Sequence, residues 1–555
     1  MECPTAAGAQ RPQDSGSVRR FPLDVIMNQI RRKRSDRRPL GRLLSWASDR
    51  TGNREAHRKV QSPEAADGEN EPGWGRVRAF LHKMGSETEK GRISLSHCDL
   101  TVTDLLELGT LLHYAPQLED LDLSWNHLIG GSLRALTSHF SPMTSLYALK
   151  LHGCRLDQQD MNALDDALSF LPSLEVLDLS WNSLSGGALQ DLEGKLPPSL
   201  TELHLVACEL TAADGSALAG TLSSLCSLTL LDVSCNPRFA DGVTDLCSAL
   251  SKTTSLQTLR LQGVGLKPSS LRALGECLQL ASSLRLLDVS CNTGLCGQLP
   301  VLCPHLSQLS LLETLDLHQS ALTSSDMHAL VQVLPSLVSI TELNVSSNPE
   351  AGDWVQALVS ALPLTHMKTL PLNNCNLSPD SCSALALAVP YLRCVDLSWC
   401  KVVGGRLSLL LDALQPSGIQ ELRLSSCELT TNDIQHLAAA SRGGLLSSLR
   451  VLDLCYNSSV GPSGWSGLLA SGGLPSLEEL DLSLRASTAA ACSEWLPALL
   501  RALPRLTNLK RLGLQGWTTG GKEKLQLDHS LKKRHVVLEM DTEENSQDKD
   551  NQPEE

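Results

Sequence analysis

Residues 118–128 read Leu-Glu-Asp-Leu-Asp-Leu-Ser-Trp-Asn-His-Leu, and the frame they contain, Leu-x-x-Leu-x-Leu-x-x-(Asn/Cys)-x-Leu, recurs along most of the chain. Clear copies start at Leu118, Leu146, Leu174, Leu200, Leu228, Leu256, Leu284 and Leu312, and looser ones at Ile340, Met367, Leu392, Ile419, Leu449, Leu477 and Leu509. One more precedes them, from Lys90 through Ile93, Leu95 and Cys98. Of the fifteen intervals between these sixteen copies, nine are 28 residues and the others run from 25 to 32. A fixed period of this length is the signature of stacked units that bury their apolar faces only against neighbours.

Each copy divides in two. The Leu-x-Leu core alternates, as a short strand with one buried face must. The next dozen residues change to helical spacing: after Cys154, residues Met161, Leu164, Leu168 and Leu171 recur at three and four. Thr211 with Asp214, Thr323 with Asp326 and Thr430 with Asp433 give capping signatures at helix starts. Parallel strands stack about 4.8 Å apart, whereas packed helices need about 8–10 Å. The helices must therefore fan outward. The expected fold is an α/β leucine-rich repeat solenoid, a horseshoe of about 16 repeats of about 28 residues, with a parallel sheet on the concave face.

The copies alternate in kind. Cys98, Cys154, Cys208, Cys375 and Cys427 hold the ninth position in one kind, and Asn126, Asn182, Asn236, Asn292, Asn348 and Asn457 hold it in the other. A buried Asn or Cys at that position can hydrogen-bond the turning backbone between repeats. Two alternating repeats of this length resemble the ribonuclease-inhibitor class of leucine-rich repeats. The runs Leu121–Asn126 and Leu177–Asn182, each followed by Gly-Gly, and the late Leu480–Arg485 are closer to one particular leucine-rich repeat-containing protein than to the inhibitor, and that resemblance spans roughly residues 75–540. It implies a horseshoe that binds other molecules and brings no catalytic residues with it.

Composition narrows the function further. Aromatic residues make up 3% of the chain, so its core must be aliphatic. Residues 1–60 hold 14 Lys/Arg against 6 Asp/Glu, a balance of +8, which leaves −22 of the total −14 on the remainder. An acidic body disfavours nucleic acid as the main partner. No 18-residue apolar run predicts a membrane span. The N-terminus lacks the apolar stretch of a secretory signal, so the 18 Cys are expected as reduced thiols in a cytoplasmic or nuclear setting. The expected division is a disordered basic region over 1–72, an N-terminal cap over 73–92 (with Val77, Phe80, Leu81 and Met84 at helical spacing), the repeats over 93–517, a C-terminal cap over 518–540 and an acidic disordered tail over 541–555.

Enzyme motifs are missing. Gly520-Gly521-Lys522 lacks the first Gly and the Ser/Thr of a phosphate loop, and Gly464-Trp465-Ser466-Gly467, placed in a repeat turn, is one residue short of a nucleophile elbow. Cys291 and Cys296 form the nearest approach to a metal-ligand pair, with no second pair to match, and read as small buried hydrophobes. Disulfides between ninth-position Cys fail on distance, since two strand spacings exceed the reach of the bond. No cofactor, metal or small-molecule substrate is expected. Nor is a nucleotide-binding module expected before the repeats.

Two surfaces stand out as candidate binding sites. The fifth position faces the concave wall and runs Asp122, Lys150, Asp178, His204, Asp232, Arg260, Asp288, a charge-alternating ladder that would satisfy itself. It breaks where Asp288 meets Asp316, and again where Asp453 meets Asp481, leaving adjacent acids without a basic residue between them. Those pairs suit a basic partner loop, or ordinary solvation. Trp125, Trp181, Trp399 and Tyr456 occupy the eighth position in four copies. They suit a binding rim, or else cover the glycines that follow the three Trp at 130–131, 186–187 and 404–405. In the basic leader, Arg31 to Arg38 is dense enough for a nuclear-import or anionic-surface signal, and equally for a solvated tail; Ser35 within it is a candidate phosphosite. The expected function is a non-enzymatic scaffold that binds an unidentified protein, basic by complementarity, through the concave face and rim. The alternative is a ribonuclease-inhibitor-like inhibitor or sensor of a basic protein.

Overall fold

The structure is a computed structural model and describes residues 80–82, 91–184, 189–190, 195–251, 253–416 and 418–541, all within the compact unit Asn70–Glu555. Ten three-residue strands run in parallel and in chain order through one sheet. They are β1 (Arg92–Ser94), β2 (Asp120–Asp122), β3 (Ala148–Lys150), β4 (Val176–Asp178), β5 (Glu202–His204), β6 (Leu230–Asp232), β7 (Thr258–Arg260), β8 (Leu286–Asp288), β9 (Thr314–Asp316) and β10 (Glu342–Asn344). A second parallel group follows: β11 (Cys394–Asp396), β12 (Glu421–Arg423), β13 (Val451–Asp453) and β14 (Glu479–Asp481), then β16 (Arg511–Gly513) and β18 (Val537–Glu539). A two-stranded pair, β15 (Ala490–Ala491) and β17 (Trp517–Thr518), lies outside both.

The two groups are joined through a copy that forms no strand of its own. Thr369, in the copy that starts at Met367, bridges Glu342 on one side and Cys394 on the other. No strand forms there because the fifth position is Pro371, which has no N–H to give to the ladder. Register is otherwise strict: each fourth-position Leu or its equivalent pairs with the next, as Leu121 with Leu149 and Leu149 with Leu177. All these side chains are buried.

The alternation of copies is structural. Four Cys-type copies carry long helices, Val102–Leu112, Gln158–Leu168, Ala212–Leu222 and Thr431–Arg442, and the Cys375 copy carries the short Pro379–Leu385. Asn-type copies carry shorter ones, such as Arg134–Thr137, Gly242–Leu250 and Leu299–Leu306. Most Asn-type copies also shift their last apolar residue by one place, the Asn182 copy with its buried Leu184 excepted. Leu128 is 58% exposed, and Ile129 takes its place in the core, as do Phe239, Leu295 and Ala351 where the frame itself offers Arg238, Gly294 and Glu350.

The three capping boxes expected from sequence are present. Their aspartates also reach backward. Asp326 accepts from Gly297 N and Leu299 N of the preceding repeat, at 2.7 and 2.9 Å, and Asp433 accepts from Gly405 N and Leu407 N in the same way. One buried carboxylate thus satisfies its own helix start and the turn before it.

The ninth-position residues tie the layers together. Each buried Asn repeats one pattern: Asn236 accepts at Oδ1 from Cys208 N and Leu210 N and donates through Nδ2 to the carbonyls of Leu205 and Val233. The Cys thiols do half of this work, those of Cys154 and Cys208 donating to Leu123 O and Leu179 O at 3.3 Å. Burial pushes both thiols up to about 12, which keeps the donating proton in place. At the N-terminal end Phe80 and Leu81 are buried; Val77 and Met84 lie outside the described residues. At the other end β18 adds to β16, and helix Gly521–Lys532 buries Leu527 and Leu531.

One sequence expectation is overturned here. Gly464-Trp465-Ser466-Gly467 sits inside helix Pro462–Ala470 rather than in a turn, because Pro462 opens that helix and Trp465 faces the core.

Candidate functional site

The eighth position lies where the chain leaves the strand, and its backbone is left-handed. Trp125, Trp181, Trp399 and Tyr456 all have φ between 60° and 66°. A bulky side chain there costs about 1–2 kcal/mol relative to its ordinary conformations. Gly153 and Gly263 hold the same position in other copies without that cost. Conformational preference therefore does not place aromatic rings on this edge.

The four aromatics gather into two pairs. Trp125 and Trp181 have ring centroids 6.2 Å apart, and Trp399 and Tyr456 6.4 Å apart. Each pair bridges an intervening copy whose eighth residue is small, Gly153 in the first case and Ser426 in the second. The fit over Gly153 is tight: a Cβ there would meet Trp125 Cε3 at 2.6 Å. Trp125 also stacks on His97 at 5.8 Å and meets His152 edge-on at 5.4 Å. In the second pair Trp399 is 51% and Tyr456 36% exposed, so these rings are offered to solvent.

At the two described Gly-Gly turns, 130–131 and 404–405, the rings are not what lies nearest. The backbone of the next repeat is: a Cβ on Gly130 would lie 2.1 Å from Arg155 O, and one on Gly404 2.2 Å from Glu428 O. The second glycines, Gly131 and Gly405, have φ of +76°, which explains the dipeptide without any reference to Trp. Gly186 and Gly187 lie outside the described residues, as do Arg31 to Arg38 and Ser35.

A cavity opens beside each pair. One, of about 340 Å³, lies between Trp181, Glu209, Cys235 and Arg238. Another, of about 300 Å³, lies between Tyr456, Lys401, Glu428 and Arg485. Both contain a tenth-position glutamate held by a cation, Glu209 by Arg238 at 3.8 Å and Glu428 by Lys401 at 2.9 Å. The aromatic frame was readable in the sequence. The glutamate beside it was not, although Glu209 and Glu428 stand at equivalent frame positions.

The acidic wall differs from its expected form in two respects. First, fifth-position aspartates have a local task. Asp122, Asp178, Asp232, Asp288, Asp396 and Asp453 each accept at Oδ1 from the N–H two residues on, at 3.0 Å. This fixes the exit turn, so one oxygen of each carboxylate is committed. Second, the alternating ladder is mostly not a ladder. Arg260 pairs with Asp232 at 3.6 Å along it, but Lys150 turns to Asp120 and His204 to Glu202, while Asp178 is met by His152. Long side chains reach the third and seventh positions as easily as the fifth.

The adjacent acids are confirmed as neighbours in register, Asp288 opposite Asp316 and Asp453 opposite Asp481. They are not equally bare. Asp316 holds His318 Nδ1 at 2.8 Å and accepts from Asn344 Nδ2 at 3.0 Å, and Asp481 lies 3.6 Å from Arg511. Burial, followed by the neighbouring Asp316, raises the Asp288 carboxyl above its usual range. Burial, with Asp481 as the opposing charge, does the same to Asp453. Asp453, Cys455 and Asp481 place three ligand atoms within 4.8 Å of one another. Cys455 stands where Ser290 stands beside Asp288, and burial together with the carboxylates pushes its thiol far upward, so the sulfur is held protonated and poorly suited to a metal. The expected pair Cys291 and Cys296 is not a buried unit either: Cys296 is exposed, and half-buried Cys291 faces His318. Among the described residues no helix is long and apolar enough to cross a membrane.

Strand, exit turn and helix in this order define a leucine-rich repeat protein, and the leucine rich repeat family model matches residues 173–198. Ribonuclease inhibitor of Sus scrofa is 31% identical over 392 residues, covering 68% of this chain and 85% of that protein. Ribonuclease inhibitor of Mus musculus is 29% identical over 383 residues, covering 67% and 84%. The chain belongs to the ribonuclease-inhibitor family of leucine-rich repeat proteins. The NACHT, LRR and PYD domains-containing protein 12 of Homo sapiens is similar over 311 residues at 30% identity, 54% of this chain but 29% of that one.

Proposed function

We propose that the chain is a non-enzymatic scaffold that captures a protein partner through the rim and concave wall of its repeats. The observation that carries this is the pair of aromatic clusters, each held in a left-handed backbone beside a cavity edged by an exposed, cation-paired glutamate. Trp399 and Tyr456 are exposed and Trp125 and Trp181 half-buried, and rim aromatics that cost conformational energy are the material of interaction hot spots. The balance of −22 beyond residue 60 favours a basic partner. Within the family, the Trp-Asn copies followed by Gly-Gly and the run Leu480–Arg485 resemble leucine-rich repeat-containing protein 31. The proposed layout keeps 93–517 as the repeat body between caps at 73–92 and 518–540, with a basic segment over 1–72 and an acidic tail over 541–555. A reducing, cytoplasmic compartment fits the thiols of Cys154, Cys208 and Cys427, which donate to backbone carbonyls as only reduced sulfur can.

Proximity labelling with the wild type beside a Trp125→Ala/Trp181→Ala variant tests the reading, once circular dichroism shows both folded. Partners lost only from the variant support it, and identical partner sets overturn the rim as the site. Family membership favours a second reading, inhibition of a ribonuclease. A titration against a basic ribonuclease separates the two: stoichiometric inhibition selects the second, and undiminished cleavage removes it.

A further inference from the structure

Midway between the two aromatic pairs, three side chains from adjacent repeats form a relay. Cys291 occupies the eighth position after β8, with its Sγ 3.2 Å from His318 Nε2. The other ring nitrogen, Nδ1, lies 2.8 Å from Asp316 Oδ1. Asp316 is itself fixed by the backbone N–H of His318 and by Asn344. We propose that Cys291, His318 and Asp316 form a nucleophilic thiol site that exchanges with small disulfides.

A thiol acts as a nucleophile once its proton is taken, and an imidazole within hydrogen-bond reach that is oriented by a carboxylate does this. Burial alone would favour the neutral ring, but the Asp316 hydrogen bond and the Cys291 sulfur outweigh it and push His318 up to about 10. The surroundings separate this thiol from its relatives. Cys154, Cys208 and Cys303 are buried, and that burial pushes them up to about 12. Cys291 is half-buried at the rim. Asp288, Glu342 and Cys235 are the other titratable groups that act on the site or its carboxylate. In the exchange, the Cys291 proton rests on His318 while the sulfur attacks one sulfur of the disulfide. The new S–S bond forms as the old one breaks, and the departing thiolate takes the proton. Cys291 ends as a mixed disulfide, and the small disulfide is reduced to one free thiol.

The full chain is exposed briefly to oxidised glutathione, and in parallel to iodoacetamide, from about pH 6 to pH 9, with each modified cysteine located by mass spectrometry. Cys291 is expected to react at least about tenfold faster than the exposed Cys226 and Cys296 near pH 6, with the advantage shrinking as ordinary thiols ionise. His318→Gln and Asp316→Asn should each remove that advantage and return Cys291 to an ordinary alkaline profile. Equal rates for Cys291, Cys226 and Cys296 in the wild type overturn the proposal without any variant. So does an unchanged Cys291 profile in a folded His318→Gln protein.

Discussion

Tryptophan is used in opposite ways at two places in this molecule. Trp125 and Trp181 stand on the rim, while Trp465, Trp495 and Trp517 are sunk in the core of the last repeats. The buried group is tightly joined: Trp495 lies 4.9 Å from Trp517 and 6.5 Å from Trp465, and Trp517 donates to Leu482 O at 2.7 Å. What separates the groups is position in the repeat. The eighth position leaves the strand pointing along the edge, whereas Trp465 lies within its helix on the face turned to the core and Trp495 caps the helix that follows. The same side chain is therefore a surface feature in one frame position and a packing unit in another.

The largest effect should come from the buried group. Trp495→Ala is expected to cost about 3–5 kcal/mol, as for other large-to-small core changes, against under about 1 kcal/mol for Trp125→Ala on the surface. Urea unfolding compares them, and equal losses would erase the distinction. The indole nitrogens of Trp465 and Trp495 are buried without a hydrogen-bond partner. Size, not polarity, is what these rings contribute.

Next in size is the Asn ladder, which both regions share. Asn236→Ala leaves two buried N–H groups and two carbonyls without partners. A loss of about 2–3 kcal/mol is expected from unsatisfied groups of this kind. Hydrogen exchange should rise at Cys208 and Leu210 in particular, and uniform exchange across all repeats would contradict a local role. A pH effect belongs to the stretch between the two regions. His318 keeps its proton up to about 10 in the folded protein against an ordinary 6.5. A raised value means that its pairing stabilises fully below pH 6.5 and fades as pH rises through about 10. The stability gap between wild type and His318→Gln should close over that interval.

How much of this was legible follows the same division. The strands, the helices and the capping boxes at Thr211, Thr323 and Thr430 follow from period and residue type, because each repeat solves the same local problem. The gap at Pro371 was missed, because the frame at Met367 reads as one more looser copy. Contacts between repeats were harder to read. That Asp326 serves the turn before it, or that Lys150 prefers Asp120 to its fifth-position neighbours, depends on side-chain reach across a curved surface. The relay at Cys291 belongs to this class: its members are 27 residues apart or two, and only the stacking of repeats brings them together.

The smallest predicted change in stability is also the sharpest test of the comparison. Trp399 holds a φ of 66° with half its surface exposed. Trp399→Gly removes a left-handed penalty of about 1–2 kcal/mol and adds a chain-entropy cost of about 0.5–1 kcal/mol. Stability should therefore stay level or rise by up to about 1.5 kcal/mol, the difference of those two terms. If Trp399 is there to bind, partner capture should fall in the same protein. Stability and binding would then move in opposite directions at one residue, which a ring kept for packing cannot produce. A clear loss of stability in Trp399→Gly would instead place this ring with Trp495, among the residues that hold the repeats together.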